Sequence, residues 1–140
     1  MSLIKLIEFN VLGDNRGQLT VLEGNKNIPF EIKRVYYLTG TKPGVSRGFH
    51  AHKKLEQIAV CVSGKCRMVM DDGRCKEENL LDSPSKAIRI EKMIWHEMYD
   101  FSPDCVLLVL ASEHYDESDY IRDYSEFKGL IENAQNSSSC

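Results

Sequence analysis

The 140-residue chain holds 42% hydrophobic and 28% charged residues and a formal net charge of −3, a profile that fits one globular domain with a modest core. No basic run marks a nucleic-acid partner, and no apolar stretch approaches the roughly 20 residues that cross a bilayer. Met1-Ser2-Leu3-Ile4-Lys5 lacks the apolar core and small-residue cleavage site of a signal peptide, so the expected location is cytoplasmic.

Short apolar runs separated by turn signals define the expected strands. In chain order these are 4–9, 18–23, 32–38, 48–52, 58–62, 66–70, 77–81, 87–91, 96–101 and 106–111. Asp14-Asn15-Arg16-Gly17, Lys42-Pro43-Gly44, Ser63-Gly64 and Ser102-Pro103-Asp104 punctuate them, and Met68-Val69-Met70 before Asp71-Asp72-Gly73 reads as a hairpin. Many short strands at spacings of roughly 8–12 residues point to an all-β antiparallel sandwich or barrel. Beyond Ala111 the pattern changes. Ile121, Tyr124 and Phe127 recur at three-residue steps, so a short helix capped by Ser118 or Asp119 is expected. The polar, serine-rich end is read as a disordered tail over 132–140, leaving residues 1–131 as one domain. Five cysteines form no Cys-x-x-Cys spacing, and Cys61, Cys66 and Cys105 sit in apolar runs as buried, reduced thiols.

The chemistry concentrates in Arg47-Gly48-Phe49-His50-Ala51-His52-Lys53-Lys54-Leu55-Glu56. Alternation along a strand puts His50 and His52 on one face, where two imidazoles can transfer protons or hold a metal. Continued parity would place Glu56, Ile58, Val60 and Val62 on the same face, a polar rim above a packed floor. His96 follows the hairpins and lines the same site. Three histidines and Glu56 form a possible metal set, yet the flanking Arg47, Lys53 and Lys54 favour an anionic substrate. Arg16, in the turn after the first strand, adds another guanidinium suited to phosphate oxygens. Tyr36 and Tyr37 are adjacent strand aromatics, of which the one facing the pocket can stack on a base or sugar. The acidic run Asp116-Glu117-Ser118-Asp119 reads as solvated charge.

Gly44, His50, His52 and Glu56 reproduce most of the first cupin motif, although Gly64 falls one place late. The Pro-x-Gly that precedes the second-motif histidine is replaced by Glu91 and Met93, and Asp100 stands where asparagine is usual. Lys33-Arg34-Val35-Tyr36-Tyr37, Arg47 to Lys53, Trp95-His96-Glu97-Met98 and Tyr115-Asp116-Glu117 through Arg122 together resemble the sugar 3,4-ketoisomerases, over about Ile7 to Phe127. These are small cupins acting on dTDP-4-keto-6-deoxyglucose. The resemblance implies a jelly-roll homodimer with exchanged N-terminal strands, no metal and no organic cofactor. It implies a ketone moved from C4 to C3, upstream of 3-amino-3,6-dideoxyhexoses for cell-surface glycans such as lipopolysaccharide or S-layer glycan. His50 and His52 are then the catalytic pair, with His50 the principal base; Arg16, Tyr36, Tyr37, Arg47, Lys53 and His96 bind substrate. Arg16 with His96 resembles the branch that forms the galacto-configured product. The alternatives are a dTDP-deoxysugar epimerase, a metal-dependent cupin, and a non-catalytic sugar-binding cupin.

Overall fold

The computed structural model describes residues 2–134. Its strands are β1 (Lys5–Glu8), β2 (Val11–Asp14), β3 (Gly17–Thr20), β4 (Arg34–Leu38), β5 (Arg47–His52) and β6 (Gln57–Ser63). β7 (Cys66–Asp71), β8 (Lys76–Leu81), β9 (Lys86–Ile90), β10 (Trp95–Tyr99) and β11 (Val106–Ala111) follow. A 3₁₀ turn (Glu117–Asp119), β12 (Tyr120–Ile121) and α1 (Tyr124–Asn133) complete the chain. Two five-stranded sheets, β1-β9-β6-β11-β4 and β12-β5-β10-β7-β8, face each other in the expected jelly roll. Every pairing within them is antiparallel.

The core lies in three layers. Between the sheets, Met68, Met70 and Leu81 meet Ala59, Ile88, Ile90, Leu107 and Val109. Cys61, Cys66 and Cys105 are buried there as free thiols, as their apolar settings predict. Behind the first sheet, Ile58, Val60 and Leu110 are covered by Phe9 and Ile28. Behind the second, Phe127 of α1 closes over Ala51, Trp95 and Ile121. Phe127 has no solvent exposure, which is why this short helix holds: helical stability comes from burying an apolar face. No helix among the described residues is long and apolar enough to cross a membrane.

Four expectations are corrected. The helix cap is Asp123, which accepts from the amides of Ser125 and Glu126, rather than Ser118 or Asp119. Ile121 belongs to β12, paired with Ala51 of β5, so the three-residue periodicity mixed a strand with a helix. That helix runs to Asn133, past the expected domain limit, and residues 135–140 of the predicted tail lie outside the described residues. The parity drawn through His50 to Val62 fails as well. β5 ends at His52 and β6 opens at Gln57, and the turn between them resets the alternation. Ala59 and Cys61 face between the sheets, Ile58 and Val60 face outward under Phe9, and Val62 is exposed. Glu56 is drawn away to Arg89 at 2.9 Å. β2 was not anticipated; among the described residues it pairs only with β3, in a ribbon outside the two five-stranded sheets.

The feature that aims the site is a bulge in β5. His96 of β10 pairs with His50, but Glu97 pairs with Gly48 and Met98 with Arg47, leaving Phe49 as the extra residue. A bulge shifts the alternation by one residue, so Arg47 lies on the face of His50, where strict alternation would oppose them. Gly48 (φ +91°) and Phe49 (φ +64°) both carry left-handed backbone. Phe49 turns outward onto Tyr99, ring centroids 5.9 Å apart. A Cβ on Gly48 would stand 2.9 Å from the His96 carbonyl oxygen, so this position needs glycine on steric as well as torsional grounds. Gly48→Ala is expected to lower stability by roughly 1–3 kcal/mol, read as a shifted urea midpoint at unchanged denaturant slope.

Candidate active site

A cavity of about 280 Å³ opens between the sheets. Its floor is apolar: Leu38, Met68, Ile90, Met98, Leu107 and Val109. Its polar lining is Arg34, Tyr36, Arg47, His50, Gln57, His96, Tyr120 and Arg122. Each strand contributes by alternation. On β4, Arg34, Tyr36 and Leu38 point in while Val35 and Tyr37 point out, 54% and 65% exposed.

The three histidines form one cluster. His50 lies 5.0 Å from His52 and 4.7 Å from His96, ring centroid to centroid, both edge to face. Only His50 and His96 line the cavity; His52 is packed behind, 2% exposed and 4.3 Å from the Tyr120 ring. His96 Nδ1 lies 3.2 Å from the Ile94 carbonyl oxygen, which places the proton on Nδ1 and leaves Nε2 bare. Among the described residues, His50 Nδ1 and both ring nitrogens of His52 are buried without a hydrogen-bond partner.

Burial dominates the electrostatics. Desolvation, then the His96 and Arg122 charges, pushes His50 down to about 3. Desolvation, then its two histidine neighbours, takes His52 down to about 2. Desolvation takes His96 to about 4, against the opposing pull of the Ile94 carbonyl. All three are neutral near pH 7, the form that accepts a proton. Burial also pushes the Tyr36 hydroxyl up to about 12.

Guanidinium groups ring the cavity. Arg122 sits over the Tyr120 ring at 4.2 Å and is held by Glu117 at 2.8 Å. Arg34 stacks over Tyr36 at 5.3 Å and keeps a buried Nε with no hydrogen-bond partner among the described residues. The acidic run read as solvated charge has structural work. Asp116 caps the 3₁₀ turn, Glu117 orients Arg122, and Asp119 accepts from the amides of Lys54 and Leu55 beside His52.

Of the residues expected at the site, His50, His52, Tyr36, Arg47 and His96 converge. Tyr37 does not, because alternation turns it to the outer face. Lys53 lies past the end of β5 with an exposed side chain and does not line the cavity. Arg16 stands at the tip of the β2-β3 ribbon, 87% exposed and paired with Asp14 at 2.6 Å, apart from this cavity. Arg34, Gln57, Tyr120 and Arg122 were missed. For Arg34 the signal was present: the parity that puts Tyr36 inside puts Arg34 there too.

The three imidazoles bring ring nitrogens within 4.8 Å of one another, a donor set able to hold a divalent ion. Glu56, the carboxylate such a set would recruit, is committed to Arg89.

A jelly roll with a neutral histidine cluster set into an arginine-ringed cavity defines a cupin equipped for proton transfer beside an anion. The chain belongs to the FdtA family, described as WxcM-like, C-terminal, which it matches over residues 2–132. It is 56% identical, over 127 residues and 91% of each chain, to the TDP-4-oxo-6-deoxy-alpha-D-glucose-3,4-oxoisomerase of Aneurinibacillus thermoaerophilus. Two solved structures of the 3,4-ketoisomerase QdtA from Thermoanaerobacterium thermosaccharolyticum superpose at a TM-score of 0.91. One, 42% identical over 93% of this chain and 94% of that chain, is a histidine-to-asparagine variant in complex with TDP-4-keto-6-deoxyglucose. The other, 44% identical over 94% and 95%, holds TDP and carries a tyrosine-to-arginine and an arginine-to-histidine change.

The neutral cluster sets a pH dependence. An unfolded histidine titrates near 6.5, whereas these three stay neutral in the fold far below that. Between those values the unfolded chain binds more protons, so stability falls as pH drops below about 6.5 and keeps falling toward 4. Urea unfolding across this range should show that decline, and His52→Asn should flatten it.

Proposed function

We propose that this protein is a nucleotide-sugar 3,4-ketoisomerase converting TDP-4-keto-6-deoxyglucose to a TDP-3-keto-6-deoxyhexose. The observation that carries the reading is His50: a neutral imidazole on the cavity wall, with His52 directly behind it and guanidinium groups around it. The relatives' activities fit this arrangement.

The reaction removes the proton from C3, beside the C4 ketone, to give an enediol, and then returns a proton to C4. The C3 hydroxyl loses its hydrogen and becomes the new ketone, while the old ketone oxygen gains one. Carbon oxidation balances within the substrate, so no external oxidant is consumed. His50, which faces the cavity, is the base. His52, 5.0 Å behind it, relays or holds the hydroxyl proton. Arg34, Arg47 and Arg122 take the diphosphate, since guanidinium forks match phosphate oxygens. The apolar floor receives the C6 methyl, and Tyr36 and His96 flank the ring.

The assembly reading is a homodimer in which the β2-β3 ribbon reaches the neighbouring subunit. In one chain β1 already pairs with β9, so the element available for exchange is that ribbon. Leu12 and Leu19 on it are 58% and 59% exposed, an apolar surface that a second copy would cover. Exchange would bring Arg16 to the partner's cavity. The two changes in the QdtA double variant introduce arginine and histidine, the residue types this chain carries at Arg16 and His96. This supports the galacto-configured product.

Proton NMR with TDP-4-keto-6-deoxyglucose in D₂O tests the activity. A 3-keto sugar deuterated at C4 is the expected product, and its couplings report the configuration. An unmoved 4-ketone deuterated at C3 or C5 would instead establish epimerase chemistry. His50→Asn and His52→Asn should each lose roughly a hundredfold in turnover; full activity in both removes the assignment. Refolding Arg16→Ala and His50→Asn chains together should restore roughly a quarter of wild-type turnover, the statistical share of intact shared sites. If Arg16 serves its own chain's cavity, the mixture stays inactive.

A further inference from the structure

Gln57 opens β6 inside the cavity and is 1% exposed. Its Nε2 donates to the Tyr36 hydroxyl oxygen at 2.6 Å. That bond fixes the side-chain amide and presents its carbonyl oxygen away from Tyr36. The carbonyl oxygen, Oε1, is buried without a partner among the described residues. A buried acceptor left bare costs stability, and each such group in a native structure calls for an explanation, of which a ligand group that completes it is one. The ligand group must be a donor. Arg34, Arg47 and Arg122 on the surrounding walls cannot accept a hydrogen bond at all, so Gln57 Oε1 supplies what they lack.

We propose that Gln57 Oε1 accepts a hydrogen bond from the C2 hydroxyl of the sugar and selects for substrates that carry it. The inference rests on the ketoisomerase reading. In a 4-keto-6-deoxyhexose joined to a nucleotide at C1, the ring hydroxyls are those at C2 and C3. The C3 hydroxyl is consumed by the isomerisation and belongs to the histidines. C6 bears no hydroxyl and meets the apolar floor. The C2 hydroxyl is therefore the one permanent donor on the ring, and Gln57, with its unpartnered acceptor, lines the cavity that would hold it. Tyr36, accepting from Gln57, keeps its own hydroxyl proton to give to the neighbouring ring oxygen. The pair thus reads two adjacent oxygens, and Gln57 acts as a positioning and specificity residue that transfers no proton.

The test compares kcat/KM for TDP-4-keto-6-deoxyglucose and its 2-deoxy counterpart in wild type, Gln57→Met, Gln57→Glu and Tyr36→Phe. Wild type is expected to prefer the hydroxylated sugar by roughly tenfold or more. Gln57→Met should erase the preference, chiefly by slowing the hydroxylated sugar. Gln57→Glu, which keeps an acceptor, should retain it, and Tyr36→Phe, which releases the amide that Tyr36 holds, should weaken it without erasing it. Unchanged affinity for TDP in each variant shows that the fold and the diphosphate site survive. A preference that persists in Gln57→Met, or is absent from wild type, overturns the proposal. If wild type binds the sugars without isomerising either, the ketoisomerase reading has failed. The same comparison made on dissociation constants then still decides whether Gln57 reads C2.

Discussion

The pairing of β5 with β10 across the Gly48-Phe49 bulge is the constraint on which the cavity depends. It sets His50 opposite His96 and Arg47 opposite Met98, so the imidazoles and a cationic side chain share one face. The arrangement needs two consecutive residues with left-handed backbone, one of them a phenylalanine. Such backbone is costly for a bulky side chain and persists only when its surroundings hold it. Here the Phe49–Tyr99 contact and the β5-β10 pairing on either side of the bulge do so.

Around that pairing the two sheets divide the labour. The first sheet supplies most of the apolar floor together with Tyr36 and Gln57, while the second supplies the histidines. The connection after β11 then folds back: β12 pairs with β5, the 3₁₀ turn ties Asp119 to the amides after His52, and Glu117 steadies Arg122. One returning segment thereby closes one side of the cavity and braces the end of the histidine strand. α1 completes the back of the second sheet through Phe127, so the site rests on a packed layer.

Much of this was legible in the residues. Alternating apolar runs and turn signals gave the strands and the all-β class, because a half-buried strand must alternate. His50-x-His52 gave the cluster for the same reason, and His96 followed from its place after the hairpins. What escaped reading were events that break period. The turn 53–56 reset parity, so Ile58 and Val60 were assigned to the wrong face and Gln57 was overlooked. β12, only two residues long, is too short to carry a pattern of its own, and its Ile121 masqueraded as helix. Arg122 depends on a fold-back that no local spacing encodes. Arg16 is legible as chemistry but not as position, since its ribbon pairs with neither five-stranded sheet.

The cavity's charge has a consequence of a different kind. The chain is acidic overall, at −3, yet three guanidinium groups converge on a cavity whose imidazoles stay uncharged. A concave basic spot in an acidic surface focuses field lines, drawing an anion toward the opening while the rest of the surface repels it. For a diphosphate-linked sugar this acts at the encounter step, before any ring atom is recognised. Ionic strength therefore governs how fast ligand arrives more than how it is discriminated once seated, because the screening length of roughly 8 Å at physiological salt spans the approach but not the close contacts inside.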